Sequence, residues 1–242
     1  MELSEILTPI PTETFFKEYW GKKHLVLSRF RCMDLFTFDH VESYINRYPY
    51  VRSLQIIDYD DKGTRWCLDK HEKLGQPFLS KKEVIALWRE GKTIVIPFAE
   101  YENKEMIDLC FEFEKYFGHG CINVYASPKA GSKSFNVHAD STENFLFHQR
   151  GNTKWTMYKE FKGEEPKTII DEFVLKGGDM LYIPTGQFHK VEADTARILC
   201  SVHFPNKRNQ TLEKFTISSN KANPREKWFE PILKYDTDGY YI

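Results

Sequence analysis

The sequence predicts an α+β protein in which a helix-rich N-terminal part, residues 1–119, precedes a jelly roll formed by residues 120–205. The apolar periodicity changes once, near residue 120, from a helical period to short β-branched and aromatic runs. About eight such runs follow within about 85 residues, separated by turn residues, which suits two packed sheets. No repeat or Pro/Gly/Ser linker divides the chain, so we expect one domain over residues 1–242, with residues 206–242 as a short C-terminal extension.

The N-terminal part is predicted to alternate helices with short strands. Pro11 can open a helix that presents several aromatic side chains on one face, and a strand at residues 24–27 follows it. The aromatic residues of that face are Phe15, Phe16, Tyr19 and Trp20. Further helices are predicted at residues 38–48, 81–89 and 102–117, and strands of a sheet among these helices at residues 51–57 and 93–97.

The jelly roll is predicted from consecutive strand-like segments with Gly, Pro, Asp and Asn between them. These segments are INVYAS, KSFNVH, ENFLFHQ, KWTMY, TIIDEFVL, DMLYIP, FHKVEA and RILCSVHF. In the polar extension that follows, one helix is predicted around residues 224–233.

Composition excludes several classes of function. Lys and Arg number 34 against 35 Asp and Glu, so the net charge of -1 provides no field that would attract nucleic acid or an acidic membrane. A small molecule or a peptide is therefore the expected partner. Neither a signal peptide nor a membrane-spanning apolar run is recognisable, which predicts a cytoplasmic protein. The five cysteines are odd in number and widely spaced, so we expect free thiols.

The strongest chemical signal is the pair His138 and Asp140. Residues two apart on a strand point to the same face, so both side chains can bind one ion. His189 is the candidate third ligand, because it follows the strand-and-turn segment GDMLYIPTG that would bring it onto a second strand of the same barrel. Two imidazoles and one carboxylate form the facial triad suited to non-haem Fe(II), with positions left for a cosubstrate and oxygen.

Two other histidines lie on predicted barrel strands. His148 follows on the strand after Asp140, and His203 is on the last strand. Both are expected near the rim of the site, where packing or a hydrogen bond to substrate is a better interpretation than ligation, because the triad is already complete.

The segment from residue 121 to residue 204 resembles the jumonji-C and cupin-type hydroxylase family, above all in SFNVHADSTENFLF, GDMLYIPTGQFHKVEA and SVHF. It is similar to the ribosomal-oxygenase-like and cupin-8-like branch, in which a segment similar to FFKEYWGKKHLVLSRF precedes the barrel. The resemblance implies a double-stranded β-helix, the cupin jelly roll, together with Fe(II), 2-oxoglutarate and O2. Hydroxylation with release of succinate and CO2 is the implied activity.

The resemblance also assigns residues that contact the cosubstrate. The metal motif of the family corresponds to His138, Asp140 and His189 without adjustment. An asparagine that helps to hold the cosubstrate corresponds to Asn144. Asn123 and Tyr125, on the strand that leads to the metal motif, correspond to positions that face it.

One departure from the family concerns the cation that pairs with the distal carboxylate of 2-oxoglutarate. The family places a lysine two residues after the glycine equivalent to Gly151, whereas this sequence has Thr153 there and Lys154 one place later. A shift of one residue on a strand reverses the face. Three alternatives follow: a bulge turns Lys154 inward, Lys133 or Arg197 replaces it with help from the Thr153 hydroxyl, or the protein does not use 2-oxoglutarate.

The substrate implied by these features is an amino acid, a peptide or protein side chain, or a natural product. Two other functions stay open at this point. One is a cupin metalloenzyme that does not use 2-oxoglutarate, such as an isomerase or a lyase, and the displaced lysine favours it. The other is a binding module without catalysis, which an intact metal triad disfavours.

Overall fold

Two antiparallel sheets form a jelly roll, and helices pack against the outer face of the larger sheet. The computed structural model describes residues 2–28, 34–47, 54–57, 66–67, 80–132, 134–162, 165–166 and 168–205. The helices are α1 (Leu3–Ile6), α2 (Thr12–Glu18), α3 (Phe38–Arg47), α4 (Lys81–Glu90) and α5 (Lys104–Phe117), with a 3-10 helix at Ala99–Tyr101. The strands are β1 (Leu25–Leu27), β2 (Gln55–Ile57), β3 (Trp66–Cys67), β4 (Thr93–Ile96), β5 (Cys121–Ser127), β6 (Thr142–Arg150), β7 (Asn152–Tyr158), β8 (Phe161–Lys162), β9 (Glu165–Pro166), β10 (Ile169–Lys176), β11 (Met180–Ile183), β12 (Phe188–Ala193) and β13 (Arg197–Pro205).

The ends of the longer helices follow from local capping. Ser80 and Glu83 form a reciprocal capping box at the start of α4, and Gly91 ends that helix in the left-handed conformation. Asn103 accepts a hydrogen bond from the Met106 N–H at 2.9 Å, so α5 begins two residues later than predicted. The predictions of α3, α4 and α5 are confirmed.

The larger sheet has the order β1-β11-β6-β13-β5-β4-β2-β3, and the smaller sheet has the order β10-β7-β12. Strands were predicted at residues 51–57 and 93–97, in a sheet among the N-terminal helices. The structure has β2 and β4 there, but the predicted placement is wrong, because β4 pairs with β5 and extends the larger sheet of the barrel. Of the predicted strand KSFNVH, the described residues 134–138 form one bridge, between His138 and His189 at the edge of the smaller sheet.

Alternation along the strands separates two layers of packing. On β13, Ile198, Cys200 and Val202 face the helices, whereas Leu199 and Ser201 face the interior of the jelly roll. The same alternation continues on β5, β6 and β11. The barrel interior is therefore lined by one side of each strand, and its polar positions form the site.

The N-terminal segment is held to the larger sheet by aromatic packing and one polar contact. Phe15 of α2 meets the Tyr182 ring edge-on at 5.0 Å. The Tyr182 hydroxyl donates to the buried Glu143 carboxylate and accepts from the Gly21 N–H at 2.7 Å. Burial, reinforced by Glu143, raises the pKa of Tyr182, so this phenol stays protonated.

The remaining predictions about the fold concern the C-terminal helix, the cysteines and membrane-spanning segments. The helix predicted around residues 224–233 lies outside the described residues. Cys110, Cys121 and Cys200 are free thiols, as expected. In the described part of the chain, the helices are too short or too polar to span a bilayer.

Candidate active site

His138, Asp140 and His189 converge at the edge of the smaller sheet. One ligand atom from each lies within 4.8 Å of the other two. The two histidines lie opposite each other across an antiparallel bridge, with His138 N to His189 O at 3.1 Å and His189 N to His138 O at 2.8 Å. Asp140 is held next to them because its carbonyl accepts from the Gly186 N–H at 2.9 Å. The backbone thus fixes all three positions.

The tautomers of both histidines are set by backbone carbonyls. His138 Nδ1 lies 2.7 Å from Asn136 O, and His189 Nδ1 lies 2.9 Å from Gln187 O. Since a carbonyl only accepts, each Nδ1 carries a hydrogen, and in the neutral imidazole Nε2 then keeps its lone pair. The Nε2 atoms of His138 and His189 lie 3.8 and 3.9 Å from the two Asp140 oxygens. These distances leave room for an ion between the atoms.

The environment of His189 favours the neutral form that a metal requires. His189 is 3% exposed. Burial first, and then the neighbouring His138, lower the pKa of His189 to about 4. The imidazole therefore presents a lone pair at neutral pH without having to lose a proton.

The side chain of Asn144 holds Asp140. Its Nδ2 donates to Asp140 Oδ2 at 3.0 Å and to the Thr142 carbonyl at 3.1 Å, and the residue is 4% exposed. Asn144 was assigned to the cosubstrate, but in this structure its amide orients the carboxylate of the candidate metal site. His203 lies on the same interior face, where burial lowers its pKa and Asp140 opposes that shift.

An interior cavity opens from the histidine and aspartate cluster. Its remaining lining residues are Tyr125, Ser134, Phe135, Leu146, Trp155, Val191, Arg197, Leu199 and Ser201. Most of these side chains are apolar, so a bound molecule would be shielded from water. The polar groups lie at a few fixed positions, as is typical of small-molecule sites.

Arg197, at the start of β13, is the buried cation of this cavity. It is 1% exposed. Its Nε donates to Ser127 Oγ at 3.0 Å and its Nη2 donates to Ser134 Oγ at 3.2 Å. Its Nη1 has no hydrogen-bond partner within the described part of the chain. Burial lowers the pKa of Arg197 to about 10, and Tyr125 opposes that shift, so the guanidinium stays charged at neutral pH.

Lys154 lies on the opposite side of its strand from the cavity. The ammonium forms an ion pair with Glu172 at 3.0 Å, and both side chains are more than 40% exposed. The first alternative, in which a bulge turns Lys154 inward, is wrong, because β7 keeps an unbroken register with β12 from residue 153 to residue 158. Thr153 does face inward, and its hydroxyl accepts from Trp155 Nε1 at 2.9 Å.

The remaining predicted residues are divided between the cavity and its surroundings. Tyr125 lines the cavity and meets Phe135 edge-on at 6.1 Å. Asn123 is half-buried two residues earlier on the same face of β5. His148 is fully buried, and its Nε2 lies 2.9 Å from the Gly151 carbonyl. Lys133 lies outside the described residues.

Gln187 and Ser134 are among the polar residues near the site that sequence reasoning missed. Gln187 Nε2 donates to the Tyr158 carbonyl at 2.8 Å, which fixes the turn whose own carbonyl holds His189. Ser134 contacts Arg197 from the loop before the metal motif. Only the position of Gln187, two residues before a proposed ligand, offered a local signal.

Comparison with known proteins shows which family of sequences the chain is similar to. Residues 93–212 match the family model of the JmjC domain. "Ribosomal oxygenase 2" of Rattus norvegicus is 28% identical over 217 residues, which cover 82% of this chain and 45% of the relative. "Bifunctional lysine-specific demethylase and histidyl-hydroxylase NO66" of Dictyostelium discoideum is 26% identical over 208 residues, covering 78% and 39%. The chain thus spans less than half the length of these curated relatives.

A solved structure supports the fold. The ribosomal oxygenase YcfD of Escherichia coli, in complex with cobalt and 2-oxoglutarate, matches with a TM-score of 0.60 at 17% identity. The match covers 95% of this chain and 61% of that chain. The predicted jelly-roll fold is confirmed.

Proposed function

We propose that the chain is an Fe(II)- and 2-oxoglutarate-dependent oxygenase of the JmjC and cupin-type family that hydroxylates a peptide or protein side chain, as its similarity to the JmjC domain and to ribosomal oxygenases supports. The observation that carries the proposal is the convergence of His138, Asp140 and His189 at one cavity inside the jelly roll. The relatives support the reaction class.

The donor set fits Fe(II). Two neutral imidazoles and one carboxylate on one side of an ion constitute the facial triad of non-haem iron oxygenases, which leaves the opposite positions open. Both Nε2 lone pairs are available, because each Nδ1 hydrogen is already bonded to a carbonyl. Asn144 fixes the carboxylate. The three side chains are therefore already oriented for metal binding.

In this proposal bound Fe(II) supplies oxygen activation: 2-oxoglutarate and O2 give succinate and CO2, and one oxygen atom of O2 enters a substrate C–H bond while the other enters succinate. The chain contributes positioning and exclusion of water. The apolar wall that would surround the cosubstrate consists of Leu146, Trp155, Val191 and Leu199. His203 lies near Asp140 on the last strand, opposite Asn144.

A peptide or protein substrate is supported by the names of the relatives, which describe a ribosomal oxygenase and a histidyl-hydroxylase. A free amino acid or a natural product would require closure around a small molecule. Incubation of the enzyme with a cell-extract peptide digest, followed by mass spectrometry, tests the class. Products heavier by one oxygen atom, dependent on 2-oxoglutarate, would support it. Oxidation of free amino acids alone would refute it.

The reaction is tested by measuring succinate after anaerobically prepared protein receives Fe(II), ascorbate, 2-oxoglutarate and then oxygen. We expect succinate from the wild type and none above background from His189→Ala. His119→Ala is the matched control, since His119 is an exposed histidine outside the cavity. Stoichiometric iron without succinate, with or without peptide substrate, would refute the oxygenase proposal.

A further inference from the structure

We infer that Arg197 binds the distal carboxylate of the 2-oxo dicarboxylate, in the role that the family gives to a lysine on the strand equivalent to β7. The inference rests on the proposed function and goes beyond it, because it names the recognition residue and hence the acid that the cavity selects. Arg197 comes from β13, in the larger sheet, so the carboxylate would be held from the opposite wall of the cavity.

The first argument is the unfinished hydrogen bonding of the Arg197 guanidinium. Two of its nitrogens are bonded to the hydroxyls of Ser127 and Ser134, whereas Nη1 has no partner among the described residues. A buried donor without an acceptor costs free energy, so native structures rarely leave one. A ligand oxygen in the cavity would satisfy it.

The second argument is charge. At 1% exposure a guanidinium is expected to have an anionic partner. No carboxylate of the described residues forms an ion pair with Arg197, and its protein partners are neutral serine hydroxyls. The two serine hydroxyls orient the planar guanidinium but do not neutralise its positive charge. A carboxylate ligand would supply the charge and accept two hydrogen bonds at once.

The third argument is placement. Arg197 and the His138, Asp140 and His189 cluster line the same cavity. A molecule that chelates the metal through one end and carries a carboxylate at the other end matches both features. A 2-oxo acid with an uncharged tail matches only the first, and would leave the guanidinium buried without a counter-ion.

The alternative cation on β7 cannot reach the cavity. Lys154 points to the outer face of the smaller sheet and is paired with Glu172. The inward positions on that strand hold the Thr153 hydroxyl and the Trp155 indole, which are bonded to each other. Among the described residues that line the cavity, Arg197 is the only lysine or arginine.

The test compares two ligands of the same chain length. 2-Oxoglutarate has the distal carboxylate and 2-oxopentanoate lacks it, while both can chelate a metal through the keto acid. Their affinities are measured anaerobically with Fe(II) by calorimetry and by the charge-transfer absorption of the chelate. The variants are Arg197→Met, Arg197→Lys, Lys133→Met and, as the matched surface control, Lys154→Met.

We expect the wild type and Lys154→Met to prefer 2-oxoglutarate by about a hundredfold or more, as is usual for a buried carboxylate and guanidinium pair. Arg197→Met should lose that preference while binding 2-oxopentanoate with unchanged affinity. Arg197→Lys keeps the positive charge but loses the planar guanidinium, so its preference for 2-oxoglutarate should be reduced. A structural role of Arg197 would change the affinity for both ligands, whereas carboxylate recognition changes the affinity for 2-oxoglutarate alone.

Two results would overturn the inference and leave the proposed function intact: Arg197→Lys and Arg197→Met that keep the full preference, or loss of the preference in Lys133→Met or Lys154→Met instead. If Arg197→Met does not fold, as judged by circular dichroism, the Arg197→Lys result decides. Failure of the wild type to bind either acid with Fe(II) would contradict the proposed function itself.

Discussion

Replacing Asn144 with leucine should weaken metal binding while the fold persists. Leucine branches at Cγ as asparagine does and is larger, so the buried site stays filled, but the amide donor to Asp140 Oδ2 is lost. Without that bond the carboxylate can rotate away from the two Nε2 atoms. Loss of a hydrogen bond to a metal-binding side chain costs about tenfold to a hundredfold in affinity, or about 1.4–2.7 kcal/mol.

The assay is a competition for Fe(II) or Co(II) between the protein and a chromophoric chelator under anaerobic conditions. Ser201→Ala is the matched control, since the Ser201 hydroxyl meets the other end of the Asn144 amide at 3.5 Å without touching Asp140. That variant should bind metal within about threefold of the wild type, since so long a hydrogen bond contributes little. Circular dichroism establishes that both variants fold.

Wild-type metal affinity in a folded Asn144→Leu variant would refute the reasoning, because it would mean that the backbone alone orients Asp140. A loss of metal affinity as large as that caused by Asp140→Ala would also refute the reasoning. In that case the asparagine would be needed to assemble the site and not merely to orient one ligand.

The remaining predictions concern stability. Burial lowers the pKa of His148 from 6.5 to about 4, so the unfolded chain binds the extra proton, and stability should fall by up to about 3 kcal/mol from pH 6.5 to pH 4. His148→Gln should flatten that part of a urea-unfolding pH profile, and an unchanged slope would contradict the assignment. Gly151→Ala should destabilise far more than Gly131→Ala in thermal melts, because both have positive φ but a Cβ on Gly151 would lie 1.9 Å from a backbone carbonyl and one on Gly131 would meet nothing. Equal losses would refute the steric explanation. Tyr182→Phe should cost about 1–3 kcal/mol in denaturant unfolding, because the buried Glu143 carboxylate loses its donor, and a neutral result would contradict that role.

Sequence reasoning succeeded where the signal was local. The spacing of His138 and Asp140, followed by a turn before His189, predicted a cluster that the structure brings within 4.8 Å. A full strand around His138 and Asp140 is not needed for this convergence, because one bridge between His138 and His189 aligns the two histidines. Short elements escaped prediction: α1 has four residues, too few for a periodicity to be recognised.

The error at Lys154 has a physical cause. Its position relative to one glycine suggested that a bulge could rotate it inward, but the face of a strand is set by pairing on both sides and by the residues that pack beneath it. Trp155 and Met157 occupy the interior, which leaves Lys154 outside. Those constraints come from β10 and β12, far along the chain, and cannot be read from the strand itself.

The position of Arg197 shows why the candidate cosubstrate pocket could not be completed from sequence. The sequence offers both Lys133 and Arg197 as alternative cations, but no local signal shows that Arg197 is buried between Ser127 and Ser134. The histidine bridge belongs to the edge of the smaller sheet, whereas Arg197 belongs to the larger one. A dicarboxylate bound to both would therefore connect the two sheets across the cavity. Its binding free energy would add to the packing of the interior, because a ligand that binds only the folded state stabilises that state.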